Sequence, residues 1–172
     1  MKALLNAVIN TVTKGTFYGG ILIHNGQIRD IGTDIDIPDE AEKINIDGKT
    51  IIPGLVEAHC HTGLCEEGEG WEGSDHNENY DPITPHLRAI DGVYPQDTGL
   101  KEAVKAGITT VNITPGSANP IGGEMGALKT AGSKIVDDLI VKEPTGMKMA
   151  FGENPKRVYN AQSKTPATRM GT

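Results

Sequence analysis

Two histidines one residue apart, His59 and His61, are the side chains in this sequence best placed to do chemistry together. They close the run Ile51-Ile52-Pro53-Gly54-Leu55-Val56-Glu57-Ala58-His59-Cys60-His61-Thr62-Gly63. Side chains alternate faces along a strand, so His59 and His61 point the same way and Cys60 points opposite. Two imidazoles on one face of a strand end can hold one metal ion. Many His-x-His pairs are accidental, but here an apolar run leads straight into the pair through an irregular entry at Pro53-Gly54. Thr62-Gly63 then breaks the strand where a site must open. A competing reading adds Cys65 to the two histidines as a structural zinc site, which needs a fourth ligand.

Lys148 is the next candidate. Residues 146–152 read as a strand in which Met147, Met149 and Phe151 share one face, suited to packing against outer helices. Lys148, Ala150 and Gly152 share the other. A lysine turned into a protein interior needs a partner or a chemical modification, because an isolated ammonium is expensive to desolvate. Glu124 and Glu153 are the candidate partners.

The elements that position these residues are short. Residues 1–50 read as strands separated by turns, with hairpin signals at Asn25-Gly26 and Asp47-Gly48, where both positions tolerate positive φ. Residues 64–96 form a long polar excursion rich in glycine and acidic side chains, and loops of this length are functional or disordered. Trp71, Asp75, His76, His86 and Arg88 lie in it, either to meet a substrate or to tie the loop down. A capped helix is expected over 100–106, a β-branched strand over 108–114, and a Gly/Asn/Pro loop over 115–123. That loop resembles a phosphate loop only superficially: five residues separate Gly116 from Gly122 where four are required, and Gly123-Glu124 stands where Lys-Ser/Thr is needed, so nucleotide binding is rejected. A short strand over 126–131 and a helix over 133–141 follow. Residues 156–172 read as basic and turn-rich.

The chain has 172 residues and a net charge of −7. That balance disfavours a nucleic-acid partner or an anionic membrane surface. No apolar run is long enough to span a bilayer, and no signal peptide is read at the N-terminus. Cys60 and Cys65 are too few and too close for a secreted disulfide framework. A cytoplasmic location is the expectation.

Taken together, these residues resemble a known family. Pro53-Gly54-Leu55-Val56-Glu57-Ala58-His59-Cys60-His61-Thr62-Gly63 is similar to the first barrel strand of the metal-dependent amidohydrolase superfamily, and more closely of its imidazolonepropionase-like branch. The likeness runs on through Gly73-Ser74-Asp75 and Thr84-Pro85-His86-Leu87-Arg88-Ala89-Ile90-Asp91-Gly92. It continues in Pro115-Gly116-Ser117-Ala118-Asn119-Pro120-Ile121-Gly122-Gly123 and Lys148-Met149-Ala150-Phe151-Gly152-Glu153-Asn154-Pro155, covering most of the chain. The histidine pair points to the superfamily and the other blocks favour the branch.

The resemblance implies an α/β fold: a small N-terminal β-sandwich over residues 1–50, partial because the family supplies further strands of it from its C-terminal end, then the first half of a (β/α)8 TIM-type barrel over 51–172. It implies His59 and His61 as ligands of one or two divalent ions, zinc foremost, with iron or manganese as alternatives. Lys148 resembles a fourth-strand lysine that is carboxylated and bridges two metals; pairing with Glu124 or Glu153 stays open beside that. His76, Arg88, Asn119, Gly122 and Gly123 are the expected contacts to a small-molecule substrate. The family places two further histidines and a general-base aspartate on later strands, and no histidine follows His86, so these are expected beyond residue 172. A complete barrel takes roughly 250 residues. A truncated half barrel with open edges is therefore expected, needing a second chain or self-association. The implied function is metal-dependent hydrolysis of C–N bonds in a non-peptide amide, cyclic amide or dipeptide-like substrate, this chain supplying part of the site. The alternative is a non-catalytic scaffold that keeps half of an enzyme fold.

Overall fold

A computed structural model describes residues 1–172, which divide into two compact units, Met1–Pro53 and Gly54–Thr172.

The first unit is one five-stranded sheet, a single layer of the partial β-sandwich expected over residues 1–50. Its centre is β1 (Lys2–Asn10), antiparallel to β2 (Thr16–His24), which in turn pairs antiparallel with β3 (Gln27–Gly32). Asn25 and Gly26 take φ of 51° and 72° and close the β2–β3 hairpin as expected. Asp47-Gly48 also turns with positive φ, yet it joins no hairpin. The strands either side of it, β4 (Glu42–Asn45) and β5 (Thr50–Ile51), both lie parallel to β1, one after the other along the same edge. β1 itself bulges at Asn6 (φ 59°) between Leu4 and Ala7. The extra residue reverses the in–out alternation. Ala3 and Leu5 therefore pack with Leu22, Ile35, Ile37 and Ala41, whereas Leu4, Ala7 and Ile9 pack with Phe17, Ile21 and Ile46.

The second unit carries a four-stranded sheet in the order β6 (Leu55–Cys60), β7 (Ile108–Ile113), β8 (Ile121–Lys129), β9 (Ile140–Met149). β6 and β7 are parallel and are joined through α1 (Thr98–Lys105), one βαβ step of the kind a barrel repeats. Repetition stops there. β7–β8 and β8–β9 are antiparallel, so the strands do not continue a parallel half barrel and no barrel closes. The expected strand over 126–131 is the end of the longer β8, which absorbs Ile121–Gly123 from the expected loop. The expected helix over 133–141 shrinks to α2 (Val136–Leu139), and β9 begins at Ile140 instead of residue 146. The turn-rich reading of the C-terminal segment also fails at its start. Glu153-Asn154-Pro155 opens α3 (Glu153–Asn160), because proline is tolerated in a helix's first turn, where its missing N–H has no partner to lose.

The core of this unit is built as much by the long excursion as by regular elements. Leu64, Ala89, Ile90 and Val93 from the excursion bury against Val111 and Ile113 of β7, Leu128 of β8, Leu100 of α1 and Leu139 of α2. Apolar packing, with a 3₁₀ turn at Ala89–Gly92, is what orders the excursion. No helix is long and apolar enough to cross a membrane.

Leu128 is fully buried in that core, and Leu55 is 50% exposed. Leu128→Ala should lower unfolding free energy by about 2–5 kcal/mol. Leu55→Ala should change it by less than about 1 kcal/mol. Urea denaturation followed by circular dichroism measures both.

Candidate active site

His59 ends β6 and Lys148 nearly ends β9, the two edges of the four-stranded sheet. Three strand spacings separate those edges, about 14 Å in a flat sheet. Nevertheless His59 Nε2 lies 3.1 Å from Lys148 Nζ. Both side chains reach over the face between the edges, and curling of the sheet toward that face shortens the gap they span. The strands between them make this feasible, since β8 presents glycines where the face is most concave. A Cβ on Gly122 would sit 3.5 Å from Lys148 Cγ and from the Gly116 carbonyl, and one on Gly123 (φ 125°) would fall 2.6 Å from the Leu87 carbonyl oxygen. Register breaks beside Gly123 and Met125 add to the local bend. On β7, Asn112 ties the edges together: its Nδ2 donates to the Ala58 carbonyl at 3.1 Å, and Thr145 Oγ1 of β9 donates to its Oδ1 at 2.6 Å.

His61 is held by the end of the parallel ladder. Thr114 N–H donates to the Cys60 carbonyl at 2.9 Å, and the Thr114 carbonyl lies 2.8 Å from His61 Nδ1. A carbonyl only accepts, so Nδ1 carries the proton and Nε2 keeps its lone pair for a ligand. That is the supporting bond that orients a metal-binding imidazole. The His59 and His61 rings stand edge to face, 5.6 Å between centroids. Lys148 makes no ion pair with Glu124 or Glu153; Glu153 is taken by Lys156 at 3.0 Å.

On the other side of His61 stands His76, 5.4 Å between ring centroids. Cys65 Sγ contacts His76 Nδ1 at 2.9 Å. Burial, then Asp75 and Asp97, push the Cys65 thiol up, so it remains a thiol and donates. Burial first, then His61, pulls His76 down against the opposing pull of Asp75. Cys65 is thus turned to His76 and does not join His59 and His61 in a zinc cage. Nowhere do three His, Cys, Asp or Glu side chains converge as a ligand set. The donors present are two imidazoles and the Lys148 amine, a set whose chemistry fits part of a divalent-metal site.

Two open cavities flank His76. One, of about 350 Å³, is lined by Asp75, Leu87, Arg88, Asp91 and Gly122 among others. The second, of about 270 Å³, has His61, His76, Asn77, Ser117, Asn154 and Arg157 in its wall. The expected substrate contacts divide between these cavities and the scaffold. His76 lines both. Arg88 is spent on Asp91 at 2.6 Å and Glu143 at 3.4 Å. Asn119 is buried with both amide atoms bonded, Nδ2 to Thr84 Oγ1 at 2.9 Å and Oδ1 to Tyr159 O–H at 2.6 Å. Gly122 lines the larger cavity, and Gly123 serves close backbone approach.

Sequence reasoning passed over α3 and what it brings. The helix is docked by Tyr159, four residues after Pro155, both buried; that i, i+4 spacing was the available signal. Asn154 Nδ2 donates to Ser117 Oγ at 2.6 Å, and Gln162 Nε2 to the Asn79 carbonyl at 3.0 Å. The helix thereby becomes one wall of the smaller cavity.

No protein-family model matches the chain. Amidohydrolase tasK of Hapsidospora irregularis is 34% identical over 167 residues, 89% of this chain and 17% of that protein. An imidazolonepropionase of Vibrio cholerae is 42% identical over 41 residues, 24% of this chain and 10% of that protein. The crystal structure of an amidohydrolase from Thermotoga maritima matches with a TM-score of 0.93 and 48% identity, over 99% of this chain and 44% of that one. The chain thus spans less than half the length of each of these relatives.

Burial, with Asp81 and Glu78, raises the Tyr159 phenol to about 12. Its folded value lies above the ordinary tyrosine value of about 10, so the folded chain holds this proton more tightly. The stabilisation is complete below pH about 10 and is lost as pH rises through about 12. Tyr159→Phe should remove the highest step of an ultraviolet tyrosinate titration. It should also lower stability by about 1–3 kcal/mol at neutral pH, since Asn119 Oδ1 is left without its donor.

Proposed function

The chain belongs to the amidohydrolase superfamily, and from that premise we propose that His59, His61 and Lys148 take part in metal-dependent hydrolysis of a C–N bond. The substrate is a small molecule carrying a non-peptide amide, a cyclic amide or a dipeptide-like linkage. One observation carries the reading: side chains 89 residues apart, on opposite edges of one sheet, meet at 3.1 Å beside a histidine whose free Nε2 is fixed by a carbonyl. The imidazolonepropionase-like branch rests on the 41 matched residues and on the motifs given above.

His59 and His61 would hold a divalent ion, zinc foremost and iron or manganese otherwise, with Lys148 as a further ligand once carboxylated. When bound, such an ion polarises a carbonyl as a Lewis acid and makes water more acidic. The chain's own residues do the rest of what is proposed here. Thr114 keeps the His61 lone pair on Nε2. The Lys148 ammonium first gives up one proton to solvent. The neutral amine then adds carbon dioxide, one N–C bond forming as one C=O π bond opens, and releases a second proton. This leaves a carbamate whose carboxylate can serve as a ligand. His76 and the cavity walls receive the substrate and exclude part of its water shell. The remaining donors, including a general-base aspartate, come from outside these 172 residues, through a longer polypeptide, a second chain or self-association.

The test uses the whole protein that bears this sequence, dialysed against zinc and then against buffer. The unsubstituted protein should retain zinc, and in carbon-13-labelled bicarbonate it should show a carbamate carbonyl signal that Lys148→Ala removes. His59→Ala with His61→Ala should release the zinc and lower hydrolysis of a panel of cyclic amides by more than about 100-fold, beyond the loss of a supporting partner alone. Unchanged zinc content and unchanged hydrolysis in the double variant would overturn the proposal and leave the scaffold reading in its place.

A further inference from the structure

We propose that Arg157 is a specificity-determining residue that selects substrates bearing a carboxylate. This inference deepens the hydrolase reading and rests on it for the reaction, although not for the binding. Arg157 lies in the last turn of α3 and lines the smaller cavity together with His61. Its guanidinium makes no ion pair and no side-chain hydrogen bond within the protein. The contrast with Arg88 is direct, because that side chain faces the larger cavity already neutralised by Asp91 and Glu143.

The wall around Arg157 is also distinctive in charge. None of the ten residues lining the smaller cavity is Asp or Glu, in a chain whose net charge is −7. The larger cavity, by comparison, has Asp75, Glu78 and Asp91 in its lining. Arg157 is thus the one permanent charge facing the space beside His61, and the other polar groups there are amides, a hydroxyl and imidazoles. A guanidinium offers five N–H donors in a planar fork that matches a carboxylate through two parallel bonds. Asn154 stands three residues before it on the same helix and is fixed by Ser117, so the rim on that side is already rigid.

Size narrows the class further. A cavity of about 270 Å³ holds the space of about nine liquid waters. A compact amide with its carboxylate a few atoms from the C–N bond fits such a space. Arg157 would hold the carboxylate while the amide faces His61, which sets the direction in which the substrate enters.

Binding to the whole protein is measured by NMR with two probes of similar shape, N-acetylglycine and its uncharged counterpart N-acetylglycinamide. N-acetylglycine should shift the Arg157 Nε–H resonance. Its Kd should weaken roughly 10- to 100-fold in Arg157→Gln, the range expected for a charge-assisted bond. Arg157→Lys should recover only part of that loss, since an ammonium cannot make the paired contact. The amide probe should bind the unsubstituted protein and Arg157→Gln alike. Equal Kd for N-acetylglycine in the unsubstituted protein and Arg157→Gln overturns the proposal, as does an amide probe that binds as tightly as the acid. Zinc content is read in the same samples. Absence of carboxylate selectivity in the unsubstituted protein with zinc retained refutes the role of Arg157 alone, whereas selectivity in a protein that retains no zinc, iron or manganese supports it and refutes the metal-dependent reaction.

Discussion

The curvature of the second sheet is the constraint on which the site depends. His59 and Lys148 lie on opposite edges of four strands, yet their side-chain nitrogens stand 3.1 Å apart. Three devices act together. Gly122 leaves the face beside Lys148 without a side chain, and Gly123 admits the close approach of the Leu87 carbonyl. Irregular register in β8 and β9 bends the strands where the glycines sit. Asn112 then links β6 to β9 across the face through bonds to Ala58 and Thr145. A flat sheet of the same composition would keep the ladder and lose the meeting of the side chains.

The convex side explains why the long excursion is ordered. A sheet with one apolar face must cover it, and here α1, α2 and the segment from Leu64 to Val93 share that role. Because the excursion is anchored by Leu64, Ile90 and Val93, the polar residues between them are held in defined places. His76 reaches His61 and Cys65, and the Ala118 N–H donates to Asn77 Oδ1 at 2.9 Å. Core packing and site construction are the same set of contacts in this unit. A substitution at Ile90 would disturb both.

α3 extends the same economy to the rim. One buried phenol, Tyr159, satisfies Asn119, which in turn satisfies Thr84, and that chain fixes the helix against the loop after β7. With no side chain in the group left unpaired, burying it is affordable in a small domain. The helix then presents Arg157 and Asn154 to the cavity. The similarity to a Thermotoga maritima amidohydrolase over 99% of this chain fits a scaffold in which these contacts form one unit.

Much of this was legible in the residues by themselves. The histidines one residue apart and the lysine on the strand face opposite Met147 and Met149 follow from alternation along strands, which is a local rule. Asn25-Gly26 closes a hairpin for an equally local reason, the left-handed backbone of both residues. Pairing partners are not local, and there the sequence was silent: Asp47-Gly48 has the same turn chemistry, but β4 and β5 find β1 in parallel instead of each other. For the same reason β8 and β9 run antiparallel, where a repeated barrel step was expected. Asn119 and Arg88 carry the polar groups of substrate contacts, yet tertiary neighbours consumed them, and the same neighbours left Arg157 free. Residue types and spacing determined which side chains were able to bind or react. Only the tertiary structure decided which of them remained available, because every buried polar group must first find a partner within the fold.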